Sequence, residues 1–196
     1  MDTTTAAARR IREHADRHER IIARARALAE AEGWDSVTTR RLADAIEYSQ
    51  PVLYSHFPGG KAEIMNAVAL QGFAEIGTAM SAASRRTSDR ARLKALVTAY
   101  LDFAAANPAV YTAMFALPIS ARFASEQSED ELKVAFESIA AVLRNSAEPP
   151  RDVGVAAELL WSAMHGVATL ERDQRLRPAD HGRRIAQLVK LFVSVP

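Results

Sequence analysis

Apolar residues recur three or four positions apart along nearly the whole chain, the period of helices with one buried face. Ile21, Ala25, Leu28 and Ala29 share a face, and Gly33 stops the run while Trp34 opens the next turn. They predict a first helix of about four turns, beginning after residues 1–8, a Thr/Ala-rich stretch without apolar period that reads as a mobile tail. Thr38 stands where a hydroxyl can accept an orphan amide, so a short second helix is expected over 39–46. Ser49 repeats that signal ahead of Gln50 and Pro51, and proline costs nothing in a first turn, so a third helix is expected from Gln50 to Phe57. Pro58-Gly59-Gly60 breaks it.

From Lys61 a longer helix carries Ile64, Val68, Phe73 and Ile76 toward about Ala83 and serves as a link between two domains. Beyond the polar stretch Ser84–Asp89, Leu93, Leu96, Val97, Tyr100, Leu101 and Ala104 keep helical spacing until Asn107-Pro108 ends the run, and a short segment continues to Pro118. Leu132, Phe136, Ile139 and Leu143 mark a further helix closed by Pro149-Pro150. Two last helices are expected over Asp152–Gln174 and Ala179–Val195. About nine helices and no strand result: an all-α chain. A helix-turn-helix domain over 14–72 is joined by the linking helix to a helical domain over 73–196.

Composition narrows the function. Alanine supplies 39 of 196 residues, and alanine costs least in a helix. Without cysteine there is neither a disulfide framework nor a thiolate zinc finger. No uninterrupted apolar run approaches the roughly 18 residues of a membrane span, and no apolar signal core precedes the first arginines, so the expected location is the cytoplasm. The net charge of +1 decides nothing, because polyanion binding depends on local placement. Locally, seven arginines between Arg9 and Arg26 face three acids, Glu13, Asp16 and Glu19. That pattern fits a solvated helix face with charges at mutual spacings of three and four, with a basic arm as the second reading.

Two short helices joined by a turn of three or four residues form a helix-turn-helix, whose second helix lays its first side chains against base edges in the major groove. Leu42, Ala43, Ile46, Leu53 and Phe57 are the inward set. Gln50, Tyr54, Ser55 and His56 are left outward, all neutral hydrogen-bonding groups, with no acid between Ser49 and Phe57. Arginine fits guanine and glutamine fits adenine in two-point contacts worth about 1–3 kcal/mol of discrimination, so Arg40 and Gln50 are the specificity candidates. Thr38, Tyr54, His56 and Lys61 are candidates for phosphate contacts, which set register and salt dependence.

The run Thr38-Thr39-Arg40-Arg41-Leu42-Ala43, followed by Ser49-Gln50-Pro51-Val52-Leu53-Tyr54-Ser55-His56-Phe57, resembles the DNA-binding domain of TetR-family repressors over roughly residues 17–70. The resemblance implies a capping threonine at a phosphate for Thr38, a base-reaching side chain for Arg40, and groove contacts for Gln50, Pro51 and Val52. It implies phosphate contacts for Tyr54 and His56, and Thr39, Ser49 and Ser55 complete the expected surface. Two positions depart from the pattern. Glu47 stands where the turn glycine is usual, and Gly60 where a lysine is usual, with Lys61 one residue later.

The remaining helices exceed what a three-helix reader needs. The resemblance implies an effector-binding and dimerising domain, and Trp161, His165 and Gly166 resemble its Trp-His-Gly type. Tyr100, Phe103, Met114, Phe115, Trp161, Met164 and His165 suit a small apolar or amphipathic effector; Tyr100, Phe103 and Trp161 equally suit a plain core, and a lone histidine on an apolar face, such as His165, is more often a satisfied core residue. The last two helices are the family's usual homodimer surface, a four-helix bundle, which would present two recognition helices to palindromic double-stranded operator DNA. No cofactor, metal or membrane partner is expected. Enzyme signals are weak: Pro58-Gly59-Gly60-Lys61 lacks the rest of a phosphate loop, there is no Gly-x-Ser-x-Gly or His-Glu-x-x-His motif, and Ser162 with His165 has no acid partner evident in the sequence. An all-helical enzyme or a protein-interaction module without DNA binding is the alternative reading.

Overall fold

A computed structural model describes residues 3–85, 88–115 and 130–193. Among these residues every regular element is helical: α1 (Thr3–Glu32), α2 (Thr39–Ala45), α3 (Gln50–His56), α4 (Lys61–Ala83), α5 (Asp89–Ala106), α6 (Pro108–Phe115), α7 (Asp130–Arg144), α8 (Val153–Arg172) and α9 (His181–Phe192), with single 3₁₀ turns at Trp34–Ser36 and Pro178–Asp180. The all-α architecture, a helix-turn-helix followed by a helical C-terminal domain, is as the pattern predicts. The expected stretch from 116 to Pro118 and the end of the last helix at 194–195 lie outside the described residues.

The first helix differs from expectation. It is 30 residues long, so the segment read as a tail is helical from Thr3. Alanine and arginine are strong helix formers, and nothing before Gly33 breaks the run, so propensity carries the helix past the end of its apolar stripe.

Contacts divide the chain into two units, with the boundary inside α4 between Ala69 and Leu70. The first unit holds α1–α3, the start of α4 and the segment beginning at Ala109. Its core is Ile21, Ala25, Val37, Leu42, Leu53, Phe57, Ile64 and Val68, all essentially without solvent exposure. The segment from Ala109 joins this unit because Glu30 caps it: the carboxylate accepts from the amides of Ala109 and Val110, both at 3.0 Å. The Trp34 indole N–H donates to the Ala109 carbonyl at 2.7 Å.

The second unit holds the rest of α4, α5 and α7–α9. Leu93, Leu96, Val97 and Tyr100 of α5 meet α7, α8 and α9. Gly77 of α4 lets two backbones approach, since a methyl group there would lie 3.1 Å from Ala135 Cα of α7. At the far end, Glu171 of α8 accepts from Arg184 Nε (3.0 Å) and Nη2 (2.6 Å) and pairs with His181 Nδ1 (2.9 Å), tying α9 to α8. Burial alone would raise the Glu171 pKa, but bonds from His181 and Arg184 outweigh it and hold the carboxyl below its usual value. Although interrupted by Glu158 and His165, α8 is the one helix among the described residues long and apolar enough to cross a membrane. Ala157, Leu160, Met164 and Ala168 bury one side of it within the unit.

Candidate nucleic-acid interface

The reading head is set by two helix starts and one turn. Thr38 has an extended backbone, and its hydroxyl accepts from the Arg41 amide at 3.2 Å, starting α2. Ser49 takes the corresponding place before α3, but its hydroxyl makes no cap bond; Pro51 in the first turn lowers the number of amides needing one. Between the helices the chain closes with Glu47 N–H to Asp44 O (3.3 Å) and Tyr48 N–H to Ala43 O (3.0 Å), the paired bonds of a Schellman ending. Such an ending needs one left-handed residue, and Glu47 takes it at φ +58°.

Arg40 and Arg41 are adjacent in sequence and differ in task. Arg41 forms a two-point pair with Glu32 (Nη1 to Oε2 3.0 Å, Nη2 to Oε1 2.9 Å) and donates to Ser36 O at 3.2 Å, fastening α2 to the end of α1. Hydrogen bonding to Arg41 holds the Glu32 carboxyl below its usual value. Arg40 is exposed and makes no such pair among the described residues. Tyr48 is a second fastening: its hydroxyl accepts from Arg20 Nη2, and the Arg17 and Arg20 guanidinium groups stand 5.1 and 5.5 Å from its ring centre.

On α3, Leu53 is fully buried beside the Leu42 and Ala43 face of α2, while Gln50, Pro51, Tyr54 and Ser55 are exposed and Val52 is half-buried. Tyr54 leans toward the start of α4: a side chain on Gly60 would begin 3.4 Å from Tyr54 Cε1 and 3.8 Å from Thr39 Cγ2. Gly60 has φ +62°, so it is the backbone that calls for glycine there, while a methyl group would only touch the tyrosine ring at ordinary contact distance. Tyr54, Thr39 and the first turn of α4 therefore converge on one edge of the head. Lys61 opens α4, with one ammonium N–H donated to the Trp34 carbonyl. Among the described residues, no carboxylate lies on α3.

His56 is a correction. The alternation on α3 predicts it outward, yet it is 6% exposed. Its ring stacks on His14 of α1 at 4.0 Å between centroids, and His18 lies over Phe57 at 4.4 Å. Among the described residues, neither His56 ring nitrogen has a hydrogen-bond partner. Burial, then the charges of His14, Arg17 and His18, lower its pKa. The length of α1 explains the change: a helix already running at residue 14 covers the last turn of α3. His14 and His18 at a four-residue spacing were the available signal.

The expected effector residues are divided between the units. Met114 and Phe115 lie in the first, where Met114 is buried and Phe115 packs 4.7 Å from the Tyr111 ring. Tyr100, Phe103 and Met164 are buried in the second. Trp161 and His165 are half-buried there, Trp161 edge-on to Phe136 at 6.3 Å. Burial, then the nearby Arg172 charge, lowers the His165 pKa.

Known proteins resemble the chain over both halves. Residues 21–68 match the family described as bacterial regulatory proteins, tetR family, and residues 93–192 match the tetracyclin repressor-like C-terminal domain. An uncharacterized HTH-type transcriptional regulator of Mycobacterium tuberculosis is 28% identical over 156 residues, which span 78% of this chain and 69% of that protein. A protein of unknown function from Rhodococcus sp. RHA1 shares the fold with a TM-score of 0.75 at 24% identity, over 89% of this chain and 92% of that one. The transcriptional regulator FadR of Bacillus subtilis, solved in complex with stearoyl-CoA, does so with a TM-score of 0.67 at 13% identity, over 91% and 99%. Matched in both its helix-turn-helix and its C-terminal half, the chain is a DNA-binding transcriptional regulator that belongs to the TetR family.

Proposed function

We propose that the chain is a repressor that binds a palindromic operator as a homodimer and is released by a small apolar or amphipathic effector. Residues 14–72 act as the reader and 73–196 as the effector and dimer half, of the Trp-His-Gly type. The observation that carries this reading is the exposed, carboxylate-free face of α3 beside the uncommitted Arg40, a surface able to meet base edges and phosphates without repulsion. Arg40 and Gln50 read bases, with Pro51 and Val52 at the groove. Thr38, Thr39, Ser49, Tyr54, Ser55 and Lys61 hold the backbone.

Dimerisation through α8 and α9 is supported by an apolar face: Val155, Leu159 and Leu170 of α8 are 51%, 59% and 40% exposed and Leu191 of α9 is 79% exposed. Pairing two such helix pairs as a bundle covers these side chains and doubles the recognition helix, so weak half-site binding becomes tight. A fatty acyl thioester on FadR supports the class of effector that this fold accommodates. An effector that binds one state better than the other shifts α4 and the spacing of the two heads, so effector and operator binding oppose each other. Such a regulator works in the cytoplasm, where the chromosome is, and as a reader of DNA rather than an enzyme.

Titration of the purified chain with duplex DNA at two salt concentrations tests the reading. A dimer by native mass with steeply salt-dependent binding is expected. A monomer, or affinity indifferent to salt as in a protein-interaction module, contradicts it.

A further inference from the structure

The stripe that seats α1 outruns what it sits on. Ala29, Ala25 and Ile21 are buried, then His18 meets Phe57 and His14 meets His56. One turn further the same stripe reaches Ile11, which is 70% exposed, and every residue from Ala7 to Glu13 is exposed. His56 is the last residue of α3, so α1 continues past the recognition helix by roughly three turns, about 16 Å at 1.5 Å per residue. An isolated helix of that length is marginal in water, and among the described side chains those of Ala7–Glu13 are all exposed.

Its charge shows what it fits. Arg9, Arg10 and Arg12 face one acid in this stretch, Glu13, which pairs with Arg9 at 3.5 Å across the surface. Arg10 and Arg12 make no ion pair among the described residues. A second copy of the same arm would be repelled, whereas a polyanion would be held, since guanidinium groups bind phosphate oxygens two at a time. The root of the arm is fixed at the end of α3 by the His14–His56 stack. Its length is about half of one duplex turn.

We propose that the first turns of α1 form a basic arm in which Arg9, Arg10 and Arg12 grip the sugar-phosphate backbone of the duplex flanking the stretch occupied by α3. The inference rests on α3 being the DNA reader and adds phosphate contacts outside the helix-turn-helix.

The test is fluorescence anisotropy of the full chain on a random-sequence duplex of about 40 base pairs, across about 50 to 300 mM salt. Wild type is compared with Arg9→Ala/Arg10→Ala/Arg12→Ala and with the corresponding triple lysine variant. Each lost phosphate contact lowers the log–log salt slope by about 0.9, so the alanine variant should lose about 2 to 3 from the slope and at least about tenfold in affinity. Lysine should keep most of both. Alanine favours helix, so circular dichroism should show helix content retained. An alanine variant with wild-type slope and affinity, or a lysine variant as weak as the alanine one, overturns the arm while leaving α3 as the reader. A wild type that binds no duplex overturns both, which distinguishes the two failures.

Discussion

The His56 ring stacks on His14 with centroids 4.0 Å apart and planes inclined by 31°, and His18 stands 6.2 Å away, so the last turn of the recognition helix is clasped by imidazoles within reach of the Arg17 charge. Burial and those neighbours lower the His56 pKa, and the unfolded chain, with a value near 6.5, binds the proton more readily. The associated stability is therefore fully present above about pH 6.5 and is lost as the pH falls from there through the folded value. His165, lowered mainly by burial, acts in the same direction. Urea midpoints should fall between pH 7.5 and 5.5, as working conditions of about that range, and His56→Phe should flatten much of the fall while leaving the His165 share. A midpoint indifferent to pH over this range contradicts the clasp.

Glu47 at φ +58° holds a conformation that costs a non-glycine residue about 1 kcal/mol. Glu47→Gly should raise unfolding stability by up to about 1 kcal/mol, and removal of a carboxylate from the turn should not weaken DNA binding. Chemical denaturation measures the first effect. A destabilised variant would mean that the side chain makes a contact that outweighs the strain.

Glu30 supplies both caps of the segment at Ala109 and Val110. Removing it leaves two amides without partners, at a cost of about 1–2 kcal/mol. Glu30→Ala should show this in equilibrium unfolding, with Glu30→Gln intermediate because its amide oxygen can still accept one bond. Equal stability of all three proteins would show that the cap contributes nothing.

Leu159 is 59% exposed beside Val155. If α8 and α9 pair across the dimer, Leu159→Glu places a charge in that seam, and sedimentation should show monomers at concentrations where the wild type is dimeric. A variant that remains dimeric would move the interface elsewhere.

The elements were legible because their ends are written in punctuating residues: Gly33, Pro58-Gly59-Gly60 and Asn107-Pro108 stop helices for reasons local to each residue. The reading head was equally legible, since Thr38, Leu42, Leu53 and Phe57 act over a few residues. What the sequence hid depended on separation. Glu30 and Ala109 lie 79 residues apart, and nothing in either neighbourhood announces the bond. His56 sits at an outward position of its own helix, and only the unbroken length of α1 turns it inward. The start of α1 was hidden because apolar periodicity marks a face to bury, whereas Ala6–Arg10 are helical by propensity with little to bury.

The most direct measurement is selection of binding sites from a pool of randomised duplexes by the full chain, with Arg40→Ala, Gln50→Ala and Lys61→Ala in parallel. The wild type should enrich an inverted repeat whose half-sites lie about one DNA turn apart. Arg40→Ala and Gln50→Ala should each lose preference at particular bases, by about 1–3 kcal/mol, while Lys61→Ala should weaken all sequences alike. No enriched sequence, or preferences unchanged in both Arg40→Ala and Gln50→Ala, would contradict the assignment of α2 and α3 as the reading head.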